Sequence, residues 1–196
     1  MPTPSPRAIV LAGPNGAGKT TAARTLLAET LSVMAFVNAD AIAQGLSGFD
    51  TDSAAVEASR IMLERLHKLA DQRADFAFET TLAARSYAGW LARLRETGYV
   101  VHLYYFWLAT PDLAVARVAQ RVSSGGHDIP EVTICQRYWR SLRNFFTLYR
   151  PVADVWQVYD NTQVSQSQLV ASGDNTGKET VLNQAAWERM QKEQAQ

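Results

Sequence analysis

Residues 13–21 read Gly13-Pro14-Asn15-Gly16-Ala17-Gly18-Lys19-Thr20-Thr21. Few stretches of this length constrain a fold so tightly. The spacing is that of a phosphate-binding loop: a glycine, four residues, then Gly-Lys-Thr. Glycines let the main chain curl so that several N–H groups converge on one anion. Lys19 supplies a point charge for the outer phosphates, and the Thr20 hydroxyl suits Mg²⁺. The loop, with Gly13, Asn15, Gly16, Ala17, Gly18, Lys19, Thr20 and Thr21 as its binding residues, should open into a helix whose positive end faces the phosphates. A glycine-rich turn with a chance lysine would carry similar letters. The flanks argue against it: Ala8 to Ala12 reads as a buried strand and Thr21 to Ala28 as helix. The motif specifies a nucleoside triphosphate with Mg²⁺, but not the fate of the γ-phosphate.

The rest of the chain repeats strand and helix. Short apolar strands are expected at Ala35–Val37, Phe76–Phe78, Tyr99–Leu108 and Val155–Tyr159, each ending in polar residues. The Tyr99–Leu108 run has the continuous apolar character of a central strand buried on both faces. Helices are expected from Asp52 or Ser53 to Gln72, with a stripe at Val56, Met62, Leu63, Leu66, Leu69 and Ala70, and from Tyr87 to Glu96, closed by Gly98. Further helices start at Pro111, capped by Thr110, and at Pro130. Gln44 to Thr51 reads as loop. Trp139, Phe145, Phe146 and Tyr149 read as core. The expected fold is an α/β P-loop NTPase of nucleotide-kinase type, a parallel five-stranded sheet flanked by helices, with a C-terminal β-hairpin and helix in residues 165–196. A single domain over 1–196 is expected, with residues 1–6 as a disordered lead-in and 123–131 as a lid loop.

Ligands in such sheets sit beyond the C-terminal strand ends. That points to Asp40, Glu79 and Asp160. Phosphoryl transfer to a hydroxyl needs a carboxylate to take or orient the proton, and Asp40 is the candidate base. The alternative for Asp40 is a helix cap. Glu79 could reach Mg²⁺ through water or hold a substrate hydroxyl, with Thr80 beside it. Arg121 and Arg137 flank the glycine loop and are candidates for steadying the transferring phosphoryl group; surface ion pairing is the alternative. Arg117 shares a helix face with Arg121, and Arg140 with Arg137. His127 on the loop is either a phosphate or base contact or a solvated residue. Asn161 and Thr162 lie where the adenine end of a nucleotide could rest. Cys135 has no partner pattern.

Bulk properties narrow the classes. Formal net charge is zero, which argues against nucleic acid and anionic membrane as general partners. Six arginines against two acids between Arg117 and Arg150 keep a local basic track in view. One cysteine, no signal peptide and no apolar run long enough to span a bilayer give the expectation of a soluble cytoplasmic protein.

Taken together, Gly13–Thr21, Val37-Asn38-Ala39-Asp40, Phe78-Glu79-Thr80-Thr81 and Arg121 to Glu131 with Arg137-Tyr138 resemble the zeta toxin family of phosphate-loop kinases. The Gly-Gly-His-x-Ile-Pro-Glu stretch is the most family-specific part. Zeta toxins use ATP and Mg²⁺ to phosphorylate a hydroxyl of UDP-N-acetylglucosamine and are neutralised by a small helical antitoxin. The resemblance implies that Lys19 and Thr20 hold ATP–Mg²⁺, Asp40 is the base, Glu79 binds substrate and Arg121 and Arg137 steady the phosphates. It implies a small-molecule hydroxyl acceptor and an antitoxin partner. Competing readings are a kinase for a nucleoside, antibiotic or other sugar, a non-catalytic ATP-dependent switch, and a polynucleotide kinase.

Overall fold

Every residue from Ala8 to Ala12 is fully buried, because the strand that carries them, β1 (Arg7–Ala12), is covered on both faces. Ala8, Val10 and Ala12 join one apolar cluster, and Ile9 and Leu11 the other. This is the period-two alternation of a strand sandwiched between two helical layers. The description is of a computed structural model covering residues 5–47, 51–126, 128–163 and 166–194, without the side chains of 28–30 and 51–53.

On one side β1 pairs in parallel with β3 (Phe76–Thr80), which pairs with β2 (Phe36–Val37). On the other it pairs with β4 (Val100–Trp107), which pairs with β5 (Val155–Asp160), again in parallel. The expected β-hairpin is present as β6 (Gln168–Asp174) and β7 (Glu179–Val181), but it does not stand apart. β6 pairs antiparallel with β5, so the five parallel strands become one seven-stranded sheet, in the order β2-β3-β1-β4-β5-β6-β7.

The helices are α1 (Lys19–Thr25), α2 (Ala39–Leu46), α3 (Thr51–Asp71), α4 (Ser86–Glu96), α5 (Pro111–Ser123), α6 (Glu131–Asn144) and α7 (Gln184–Glu193). α1 passes into a π-helical turn over Leu26–Leu31, and α6 into another over Phe145–Tyr149. Thr110 caps α5 as expected, its Oγ1 accepting from Leu113 N at 3.1 Å. Gly98, with φ 89°, closes α4 through Gly98 N to Arg95 O and Tyr99 N to Leu94 O.

Three expectations change. The loop read from Gln44 is helical to Leu46, because Asn38 caps α2 and Ala43 packs against Ala54 and Ala58 of α3. α3 begins at Thr51, ahead of the expected caps Asp52 and Ser53, whose side chains lie outside the described ones. Its stripe is narrower than expected: Met62, Leu66 and Leu69 are buried, whereas Val56 and Leu63 are exposed. His127 and the first four residues of the lead-in also lie outside the described residues. The aromatic residues Phe145, Phe146 and Tyr149 are core, and Trp139 is packed against it.

The C-terminal segment is fixed by aromatic stacking. Trp187 of α7 lies on Trp156 of β5, with ring centroids 5.6 Å apart and planes within 8°. Arg150 sits over the rings of Phe146, Trp156 and Trp187 at 5.4–5.9 Å and pairs with Glu179 at 3.1 Å. Such cation–ring contacts contribute about 0.5–1 kcal/mol each when exposed.

Candidate active site

The phosphate loop leaves β1 at Gly13, where φ is +139° and a Cβ would lie 2.2 Å from Phe106 O of β4. Only glycine lets the loop start this close to the neighbouring strand. Gly16 and Gly18 also have positive φ, and Gly16 backs onto α5, where a Cβ would come 3.0 Å from Ala114 O and Arg117 Cβ. Ala17 N donates to Pro14 O, closing the curl. Gly13 and Ala17 shape the loop from behind; Asn15, Gly16, Gly18, Lys19, Thr20 and Thr21 line a cavity of about 490 Å³ at the C-terminal edge of the sheet.

Lys19 is buried, and its Nζ donates to Pro14 O at 3.0 Å and lies 3.6 Å from Glu79 Oε1. Glu79, near the end of β3, also accepts from Thr20 Oγ1 at 2.7 Å and from Asn38 Nδ2 at 2.9 Å. One carboxylate thus ties the lysine and threonine of the phosphate loop to the end of β2. β3 is β1's immediate neighbour, with Glu79 in register with Leu11, which is why the carboxylate reaches the loop.

Asn38 fills the helix-cap role considered for Asp40. Its Oδ1 accepts from Asp40 N at 2.8 Å and Ala41 N at 3.4 Å. Asp40, in the first turn of α2, is therefore not occupied by capping, and it is exposed on the cavity wall. Thr80 lines the cavity too, while its Oγ1 accepts from Leu82 N at 3.1 Å. Leu82 has φ 57°, an uncommon conformation for a branched residue. It is held there by complete burial and by Asn144 Nδ2 donating to its carbonyl at 2.7 Å.

Arg117, Arg121 and Arg137 all line the cavity from α5 and α6, along with Asp40 of α2 and Glu79 of β3. Arg140 does not line it. Arg117 does more than share a face with Arg121: its Nη1 donates to Gly16 O at 3.4 Å and its Nη2 to Thr162 O at 2.9 Å. Asn161 donates through Nδ2 to Ala17 O at 2.8 Å, and Thr162 Oγ1 accepts from Ala109 N at 3.0 Å. Asn161 thus braces the phosphate loop directly, and Thr162 does so through Arg117. The roles of Arg117, Asn38 and Asn161 escaped the sequence reading. The capping preference could have found Asn38's bonds to α2, but no local signal marks contacts spanning 41 to 144 residues.

The residues present fit a triphosphate. Asn15 is buried, lines the cavity and has its Oδ1 unpartnered among the described residues; a half-turn of the amide offers its NH₂ to an anion. Among the described residues no three His, Cys, Asp or Glu converge as a metal cage. Mg²⁺ is commonly held by one or two protein oxygens plus phosphates and water, which Thr20 and Glu79 suit. No helix among the described residues is long and apolar enough to cross a membrane.

A phosphate loop between β1 and α1, at the centre of a parallel sheet and faced by arginines from α5 and α6, defines the class: a P-loop protein of the kinase fold. The zeta toxin family profile matches residues 1–172, and the chain belongs to that family. An uncharacterized protein of Haemophilus influenzae is 30% identical over 132 residues, 67% of this chain and 92% of that one. Among solved structures, a chain of the AvrRxo1-ORF1:AvrRxo1-ORF2 crystal structure with ATP superposes with a TM-score of 0.75 at 18% identity, over 95% of this chain and 63% of that chain. This chain therefore spans less than two thirds of that neighbour's length. A chain from the PezAT chromosomal toxin–antitoxin system of Streptococcus pneumoniae superposes with a TM-score of 0.64 at 19% identity, over 100% of this chain and 87% of that one. Family membership and the kinase fold support a P-loop phosphotransferase that binds ATP.

Proposed function

We propose that the protein is an ATP- and Mg²⁺-dependent phosphotransferase of zeta toxin type, which moves the γ-phosphate to a hydroxyl of a small molecule. The observation that carries this reading is the Asp40 carboxylate, uncommitted to capping, on the wall of the cavity that also holds Lys19 and Thr20. A protein that only bound nucleotide would have no use for that carboxylate.

In this reading the main-chain N–H groups of residues 15–19 and the Lys19 ammonium grip the phosphates. Thr20 Oγ1 and Glu79 would hold the Mg²⁺, which would supply charge neutralisation to the phosphates. Glu79's bonds to Thr20 and Lys19 favour this side of its two sequence-based roles over direct substrate binding. Asp40 accepts the proton of the acceptor hydroxyl as its oxygen bonds to the γ-phosphorus, while the bond from that phosphorus to the bridging oxygen breaks and ADP leaves as an anion steadied by Lys19. Arg121 and Arg137, from α5 and α6, screen charge on the transferring group. Thr80 contacts the acceptor.

UDP-N-acetylglucosamine or a related sugar nucleotide is the acceptor class the family points to. An antitoxin partner is proposed on the same footing, since the PezAT neighbour is a toxin–antitoxin system. The test is transfer of label from γ-labelled ATP with Mg²⁺ to sugar nucleotides, nucleosides, free sugars and aminoglycosides. Asp40→Asn is expected to slow transfer by about 10²–10⁴-fold, the usual contribution of a positioned base, while leaving nucleotide affinity intact. Undiminished transfer by Asp40→Asn would remove Asp40 from the mechanism. Nucleotide binding with no labelled product from any acceptor would favour the switch.

A further inference from the structure

The family match ends at residue 172, yet α7, over Gln184–Glu193, reaches back to Ala109, just before α5. α7 is held firmly, with Trp187 and Met190 buried. Its Arg189 lies across the Trp107 ring at 5.7 Å and is aligned by Glu193, whose Oε1 accepts from Nε at 2.7 Å. Arg189 Nη2 donates to Ala109 O, the carbonyl just before the cap of α5.

From Ala109 the bonds run without a break into the phosphate loop. Ala109 N donates to Thr162 Oγ1; the Thr162 carbonyl accepts from Arg117; and the other arm of Arg117 reaches Gly16 O. One peptide unit back, Trp107 O accepts from Asn161 N, and Asn161 Nδ2 donates to Ala17 O. Ala109 is therefore held through the peptide planes on both sides of its Cα, by α7 on its carbonyl and by the β5 exit on its amide. It sets the start of the helix against which Gly16 rests.

We propose that Arg189 is a positioning residue for nucleotide binding: the C-terminal helix presets the phosphate loop through Ala109, Thr162 and Arg117. This rests on the reading of residues 13–21 as an ATP site. Released from Arg189, the peptide plane that carries the Ala109 carbonyl can rotate, and the loop must be ordered at the moment of binding. The ordering cost then appears in affinity, not in the chemical step.

The test is direct titration of a fluorescent ATP analogue with Mg²⁺ into the full chain, alongside thermal melts and turnover. Arg189→Met keeps a stem over Trp107 and loses the donor. It is expected to weaken nucleotide affinity about fivefold, with turnover at saturating ATP nearly unchanged and a cooperative melt retained. Arg189→Lys, which keeps a donor, should recover part of the loss. Thr162→Val should weaken binding similarly, and the double variant should fall short of the product of the two single effects, as expected for residues on one path. Unchanged affinity in a folded Arg189→Met protein, or fully multiplicative losses with Thr162→Val, overturns the proposal while leaving the ATP site standing. A wild-type chain without affinity for the analogue overturns both.

Discussion

Glu79 makes three polar contacts within one carboxylate: Lys19, Thr20 and Asn38. Its replacement separates charge from shape. Glu79→Gln keeps hydrogen-bonding capacity toward Thr20 but removes the negative charge beside Lys19 and the proposed metal position. The expected outcome is a Mg²⁺ requirement raised about tenfold, typical when a contact to a metal site is lost. The acceptor KM should move little. A Mg²⁺ titration of transfer at fixed ATP checks this, and an acceptor KM that rises instead would put Glu79 on the substrate. At Gly13 the issue is steric. A Cβ 2.2 Å from Phe106 O, at a φ that L residues avoid, makes Gly13→Ala incompatible with the β1–β4 pairing. Its expected phenotype is loss of soluble expression.

Elements carry their own energetics, separable from the chemistry. α2 depends on Asn38, which caps it and also donates to Glu79. Asn38→Ala should cost about 1 kcal/mol from the cap alone, read as a lowered denaturant midpoint. α7 depends on Trp187, buried between Trp156 and Phe146. Trp187→Ala should cost about 3–5 kcal/mol through the cavity left behind. At this scale the sequence was most readable. The start of α5 and the end of α4 follow from Thr110-Pro111 and Gly98, because caps and turns are local chemistry. The end of α2 is not legible in the sequence because Gly45 reads as loop, whereas packing of Ala43 on α3 outweighs a cost of about 1 kcal/mol for a helical glycine.

Across the whole molecule, the edge of the sheet opposite the site holds a charge cluster. Arg7 pairs with Asp75 at 2.6 Å, and Arg95 with Asp154 at 2.9 Å. Between them His102 has its pKa lowered from 6.5, first by burial and then by the Arg7 charge, with Asp154 and Asp75 opposing. The folded state keeps the imidazole neutral, while the unfolded chain takes up a proton as pH drops below 6.5. The stability this group contributes is complete above that pH and is lost as pH falls from there toward the folded pKa. Melting temperature should therefore decline through this window, and His102→Gln should flatten the decline. A melt series from pH 7.5 to 5 on both proteins checks it.

What the residue order determined by itself is whatever depends on near neighbours. The curl of Gly13–Thr21, the alternation of strand and helix, the caps and the apolar β4 all arise from backbone preferences and hydrophobic periodicity within about a dozen residues. Tertiary structure decided the rest. It gave the cap to Asn38 and left Asp40 on the cavity wall, and it turned Asn161 and Arg117 toward the phosphate loop. It also merged the hairpin into the sheet and brought Arg189 to Ala109. Each of these joins groups far apart along the chain, fixed only when strand order places β3, β4 and β5 around β1, and no local propensity encodes that order.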